Sequence, residues 1–194
     1  MSITTRTAGS TRRVVRSEGG ATMVEFAILA PALFLLIMGT IELALMAAGQ
    51  NILESATFQA SRLGKTGFVS TGKTQSETVI GKLTGFSSYL LDASKITVTN
   101  LSYTSFDQIG QPEPWTDTNK NGVRDTGEAY TDINGNGKYD LDRGAAGFGN
   151  AGSIVVYTAT YPWSIVTPIV AKLIATNGVV TLTARAVVKN EPYS

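Results

Sequence analysis

The sequence predicts an α+β fold: a long N-terminal helix, transmembrane in its first half and amphipathic in its second, packed on a small antiparallel sheet, with a long loop inserted in the sheet-bearing part. Three observations lead there. Residues 23–48 (MVEFAILAPALFLLIMGTIELALMAA) are almost wholly apolar, and the pattern continues without a break into an amphipathic stripe. Three later segments alternate and are rich in β-branched residues, as half-buried strands are. Between the first and second of these lies an acidic stretch, 107–150, rich in Asp, Asn and Gly, with no apolar period of its own.

The helix comes first. Its apolar run is about as long as a bilayer core of roughly 30 Å requires at 1.5 Å per residue. Phe26 to Ile41 carries no charge. Pro31 lacks an N–H and should kink or loosen the helix locally, which neighbouring helices in a membrane can accommodate. Ile52, Leu53, Ala56, Ala60 and Leu63 then share one face, while Gln50, Glu54, Gln59 and Arg62 lie on others. One helix of about forty residues is expected, ending at Gly64-Lys65-Thr66-Gly67. Residues 68–73 read as loop. A second helix is expected over 74–92, where Val79, Ile80, Leu83, Phe86, Leu90 and Leu91 recur at helical spacing; Ser76 and Glu77 give it a partial cap, and Gly81 and Gly85 weaken it. Strands follow at 95–105, 153–161 and 179–189. Residues 163–176 stay open between a short helix started or broken by Pro168 and a packed loop. Asn177-Gly178 is a turn, and the last two strands can pair antiparallel across this connection.

The chain of 194 residues has a net charge of only +1, with no field that calls for nucleic acid. The distribution is more informative. Residues 1–20 hold four Arg (Arg6, Arg12, Arg13, Arg16) against Glu18, whereas residues 105–143 hold eight acids against four bases. A basic leader before the apolar run and an acidic region well beyond it imply residues 1–20 in the cytoplasm, a membrane span over 21–48, a helical extension over 49–66, and an extracytoplasmic domain over 67–194. There is no Cys and no His. Disulfide staples, Ser-His-Asp and Cys-His catalysis, and the usual zinc hydrolysis are thereby excluded. No pattern sets two carboxylates in an apolar cleft, so a structural protein rather than an enzyme is expected.

Glu25 needs a reason, because a carboxylate near the membrane end of an apolar helix is costly. The stretch Gly19-Gly20-Ala21-Thr22-Met23-Val24-Glu25-Phe26 supplies one: a glycine pair sits before the apolar run, so a cut there would leave the helix attached, unlike cleavage of an ordinary secretory signal. This stretch, continued by EFAILAPALFLLIMGTIELA with Pro31 and Glu42, resembles the start of a type IVb pilin, specifically the TadE-like pseudopilins of tight-adherence (Tad/Flp) systems. Flp major pilins usually carry Tyr after the Glu, and Phe26 sits closer to the TadE pattern. The C-terminal ARAVVKNEPYS is also similar. The resemblance covers about residues 16–65 and the last dozen.

That resemblance implies a pilin-like architecture and cleavage by a prepilin peptidase after Gly20, leaving Ala21 first, Glu25 fifth and Phe26 sixth. It implies that Glu25 pairs with the freed N-terminus of a neighbouring subunit, offsetting the desolvation of both charges and setting register. The partners it implies are prepilin peptidase, other pilins and pseudopilins, and Tad assembly proteins, with membrane lipid around the helix. The bacterial inner membrane is the implied location, crossed once, with possible incorporation into a surface pilus. The alternatives are an uncleaved signal anchor, with Glu25 facing water at the interface, or a permanent anchor of the same apparatus. Glu42 lies about 25 Å along the axis from Glu25 and is expected to snorkel to water at the opposite interface.

The acidic insertion holds an internal repeat of fifteen residues, WTDTNKNGVRDTGEA followed by YTDINGNGKYDLDRG. The first copy fits the D-x-[DN]-x-[DN]-G-x5-E calcium loop over its full length. Asp117, Asn119 and Asn121 would offer side-chain oxygens, Val123 its carbonyl, Asp125 a direct or water-borne contact, and Glu128 a bidentate closure, with Gly122 at the sharp turn. The second copy offers Asp132, Asn134, Asn136, the Lys138 carbonyl and Asp140, then departs: Arg143 holds the twelfth position, and Asp142, one residue early, is the expected closing acid. One Ca2+ is expected with a second less complete, both weakly held as in extracellular modules. The flanks carry Pro and Gly instead of helices, so the loops resemble helix-free Asp/Asn/Gly calcium loops of secreted bacterial proteins. The competing account is a pair of metal-free Asx turns. Two functions follow. The first is a TadE-like structural component of a Tad pilus or secretion apparatus, with calcium stiffening an outward loop. The second is a membrane-anchored, calcium-dependent binding or adhesin module.

Overall fold

A computed structural model describes residues 18–192. The expected leader falls almost entirely outside the described residues. Contacts divide the chain into two compact units, Met1–Thr40 and Ile41–Ser194.

The first helix, α1 (Glu18–Lys65), runs through both units and contains Pro31. Its apolar residues in the first unit are open: Met23, Val24, Phe26, Ile28, Leu29, Leu33, Phe34 and Leu36 are all more than half exposed. It is the one helix among the described residues long and apolar enough to cross a membrane. A helix apolar on all sides and bare of protein contacts calls for lipid or other helices around it.

The second unit is built on a sheet. Strands β1 (Thr97–Tyr103), β2 (Ala145–Ala146), β3 (Ile154–Ser164) and β4 (Val179–Lys189) form a sheet of order β2-β1-β3-β4, every pair antiparallel. Val155, Tyr157, Ala159 and Tyr161 of β3 and Leu182, Ala184 and Ala186 of β4 face inward, meeting Leu53, Ala56 and Ala60 of α1 and Val79 and Leu83 of α2 (Gln75–Ser87). The expected stripe on α1 therefore closes the core. Two glycines let the helix approach. A Cβ on Gly64 would lie 1.9 Å from the Tyr157 hydroxyl, and one on Gly49 would lie 2.8 Å from the Trp163 ring.

Strand β3 is fully buried from Ile154 to Tyr157, where pure alternation would leave every second residue open. The reason is a second, smaller cluster on the opposite face, in which Tyr103, Ile154 and Val156 pack with Leu101 and Ile109. The base of the insertion thus covers one end of the sheet's outer face.

Several local expectations are refined. Helix α2 has a full capping box at Thr74 and Glu77, not a partial one at Ser76: Glu77 N–H donates to Thr74 Oγ1 (3.2 Å) and Thr74 N–H to the Glu77 carboxylate (2.7 Å). The open segment 163–176 resolves into the last two residues of β3 and a short helix, α3 (Pro168–Ile174), with Pro168 in its first turn. There the missing N–H costs no hydrogen bond. Strand β2 went unpredicted, being two residues long.

Glu42 departs from expectation. It is 8 % exposed and does not reach for water. Its carboxylate accepts the N–H groups of Val166 and Thr167, the latter at 2.8 Å. Thr167 is the N-cap of α3 but makes no side-chain cap. Glu42 satisfies donors that the helix leaves open.

Candidate functional site

Two regions carry the residues that the sequence singles out. On α1, Gly20, Ala21, Glu25 and Phe26 lie in consecutive turns. A Cβ on Gly20 would meet nothing within 4 Å. The fold does not require glycine there, although glycine costs a helix about 1 kcal/mol relative to alanine. Glu25 is exposed and has no ion pair among the described residues, and Phe26 is 62 % exposed. The side chain of Ala21 lies outside what the structure describes.

The insertion is an ordered pair of loops related by a local two-fold. The leading aromatics of the two copies meet in an antiparallel bridge, Trp115 with Tyr130. Thr116 N–H donates to the Ala129 carbonyl (2.9 Å), and Thr131 N–H, fifteen residues on, donates to the Pro114 carbonyl (2.8 Å). Arg124 of the first copy lies over both Tyr139 (4.3 Å) and Tyr130 (5.1 Å) of the second, and these two rings meet edge-on. Such stacking joins the copies without an apolar core.

Within each loop the same contacts recur. In the first, Asp117 accepts from the N–H groups of Asn121 (3.2 Å) and Gly122 (2.8 Å), Asn119 Oδ1 from Asn121 N–H (3.1 Å), and Asn121 Oδ1 from Val123 N–H (2.8 Å). In the second, Asp132 accepts from Gly135 (2.7 Å), Asn136 (3.2 Å) and Gly137 (2.8 Å), Asn134 Oδ1 from Asn136 N–H (3.1 Å), and Asn136 Oδ1 from Lys138 N–H (2.8 Å). Gly122 and Gly137 have φ of +77° and +76°, the left-handed turn that glycine adopts without strain. The side-chain amides of Asn119 and Asn121 donate to Asp125 (2.6 and 2.8 Å), and those of Asn134 and Asn136 to Asp140.

The closing acids reveal what the sequence reading missed. Glu128 braces the first loop at both ends, accepting from Thr118 N–H (2.8 Å) and Asp125 N–H (3.0 Å). The equivalent positions of the second loop, Ile133 and Asp140, donate to Glu113 (2.7 and 3.2 Å). Glu113 is fully buried. In the hydrogen bonding of the second loop, Glu113, from before the first loop, takes the place that Glu128 takes in the first. Both Asp142 oxygens accept from the Tyr103 hydroxyl (2.8 and 2.9 Å), and one also from Gly144 N–H (3.1 Å). Asp142 fastens the insertion to β1, although it lines the same depression as Asn134, Asn136 and Asp140. Arg143, in the twelfth position, donates through Nε to the Pro112 carbonyl (2.9 Å) and so holds the segment that carries Glu113. The signal was present: Glu113 precedes Asp117 by four residues, as Glu128 precedes Asp132.

Among the described residues no three acids converge into a metal cluster. Each loop acid is held by N–H donors: Asn121 donates its backbone N–H to Asp117 and its side-chain amide to Asp125, and Asn136 does the same for Asp132 and Asp140. The donor set is all hard oxygen, which fits calcium better than zinc or copper.

A family model described as TadE-like protein matches residues 20–62. Over that range the chain is similar to TadE-like proteins. The matched residues include Gly20, Glu25, Phe26, Pro31 and Glu42. The insertion, the sheet and the last dozen residues lie outside the match. No curated protein and no solved structure matches the chain.

Proposed function

We propose that this protein is a pseudopilin-type structural component of a Tad pilus or secretion apparatus, shortened after Gly20 by a prepilin peptidase, with calcium stiffening the paired loops. The TadE-like range supports a Tad pilus-associated component, and the exposed apolar helix together with that range fits a single-pass membrane protein. The finer reading rests on one observation: an open apolar helix whose first turn holds a glycine, Gly20, that its fold does not need, and which bears Glu25 with no ion pair among the described residues. Cleavage after Gly20 frees an α-amino group one turn from Glu25. In an assembly of such helices, the carboxylate of one subunit and the amine of the next would neutralise each other where water is scarce.

Calcium is part of the same reading. Glu128 in the first loop and Glu113 in the second each stand at both ends of an Asp/Asn/Gly turn, and each could turn its carboxylate to a cation at the cost of two backbone hydrogen bonds. Asp117, Asn119, Asn121, the Val123 carbonyl, Asp125 and Glu128 would hold one ion. Asp132, Asn134, Asn136, the Lys138 carbonyl, Asp140 and Glu113 would hold the other. The protein performs no chemistry of its own in this reading, and its partners are the peptidase, other pilins and the Tad assembly proteins.

The test is the intact mass of the protein extracted from its native membrane. A chain that begins at Ala21 supports the proposal. A chain that retains residues 1–20 overturns processing and favours an anchored, calcium-dependent binding module.

A further inference from the structure

The segment around α3 exposes apolar side chains that no element among the described residues covers. Val166 is 80 % exposed, Leu173 78 %, Ile169 49 % and Ile174 47 %. Val166, Ile169 and Leu173 follow one another at three- and four-residue steps, so they share a face of the turn and helix. From Trp163 to Gly178 the chain carries one charge, Lys172, and no acid. Buried positions that would explain these residues as core are absent from α3, which has none.

Where this segment is fastened decides what could cover it. The Glu42 carboxylate holds the backbone N–H groups of Val166 and Thr167. Glu42 is the first charged residue after the uncharged run from Phe26 to Ile41. Counted at 1.5 Å per residue from Ala21, that run brings the helix roughly 30 Å along its axis, about one hydrocarbon thickness. A carboxylate deeper than this would be costly, so Glu42 marks the outer boundary of the span. Residues tied to it by direct hydrogen bonds lie at that boundary too.

We infer that α3 and the turn before it form an interfacial lipid contact, with Val166, Ile169 and Leu173 set into the boundary between headgroups and acyl chains and Lys172 reaching anionic headgroups. Short, weakly charged apolar segments with a single cation suit that layer, where long basic side chains snorkel to the phosphate level. The acid within the helix thereby acquires a role: it fixes the depth at which the extracytoplasmic domain sits on the membrane. This inference rests on the reading of α1 as a membrane span.

The chain has no cysteine, so single-cysteine variants of the full-length protein can carry one environment-sensitive fluorophore each. Leu173→Cys and Ile169→Cys report on α3, Leu36→Cys on the span, and Leu141→Cys, 80 % exposed in the insertion, on a site away from lipid. The protein is reconstituted in vesicles of phosphatidylcholine and phosphatidylglycerol containing lipids with a nitroxide at the top of the acyl chain. Loss of emission and a blue shift at positions 173 and 169, with neither at 141, is the expected result. Quenching at 36 with position 173 behaving like 141 overturns the inference and leaves the span intact. No quenching at 36 overturns the span and the inference together. A blue-shifted but unquenched probe at 173 means that protein, such as a second copy of the chain, covers the face, and it also overturns the lipid contact.

Discussion

At Gly64 a single hydrogen decides whether α1 can lie on the sheet. The helix-propensity gain from Gly to Ala is about 1 kcal/mol. Overpacking a dense core typically costs about 1–3 kcal/mol, and the clash here is with the ring of a fully buried tyrosine, Tyr157. Gly64→Ala should therefore destabilise the second unit despite the better helix former, seen as a lower denaturation midpoint. Gly81→Ala, where a Cβ meets nothing, should stabilise it. Gly20 belongs with Gly81 in having free space. Gly20→Val should leave the fold unchanged and abolish shortening of the chain, and a normally shortened product would count against peptidase processing. The closing acids give a third case. Glu128→Gln and Glu113→Gln should each weaken calcium binding at one loop by roughly tenfold, about 1.4 kcal/mol, while Asp142→Asn should chiefly loosen Tyr103. Titration calorimetry distinguishes these outcomes, and an Asp142 effect equal to that of Glu113 would return the second loop to its own acid. Burial, and then the hydrogen bond to Asp142, push the Tyr103 phenol well above its ordinary pKa, so it stays a donor to Asp142 at any pH the protein meets.

Among the elements, what was legible in the sequence was whatever a period could carry. The stripe Leu53, Ala56, Ala60 and the alternation in 179–189 state their partners directly, and α1, β1, β3 and β4 lie where those periods place them. Reciprocity carries no period. Glu113 serves the loop nineteen residues downstream because the bridge between Trp115 and Tyr130 turns the copies about a two-fold, and Glu42 serves α3 across more than a hundred residues. The Glu42 pairing follows from tertiary contact alone, whereas for Glu113 the sequence shows the repeat of the acid at fifteen residues, Glu113 and Glu128, but not which loop it serves. Glu42→Ala should free the amides of Val166 and Thr167, measured as faster hydrogen exchange there, with a loss of about 1.5–3 kcal/mol for charged hydrogen bonds of this kind. The α2 capping box gives a pH signature. The backbone and side-chain hydrogen bonds from Thr74 hold the Glu77 carboxyl below its ordinary value. Its stabilisation is complete above the unfolded carboxylate pKa and disappears as pH falls through the lower folded one. Thr74→Ala should return the Glu77 titration, followed by carboxyl NMR, towards the ordinary range.

For the whole molecule, α1 takes part in two structures. Among the described residues the large apolar side chains from Met23 to Leu36 are open, while Leu53, Ala56 and Ala60 are almost fully buried against β3 and β4. The second unit therefore cannot begin where the helix ends. Burial of a large apolar side chain is worth about 1.5–3 kcal/mol, and a small domain has about 5–15 kcal/mol in total. Removing α1 would strip Leu53, Ala56 and Ala60 and uncover Tyr157, Ala159, Leu182 and Ala184 besides. A fragment of residues 41–194 should unfold in one cooperative urea transition, because it retains the stripe and the Glu42 clasp on α3. A fragment of residues 66–194 should show no such transition and should expose its sheet to hydrophobic dyes. Cooperative unfolding of the shorter fragment would mean that the sheet and α2 suffice as a core, and that α1 is an anchor laid on a finished domain.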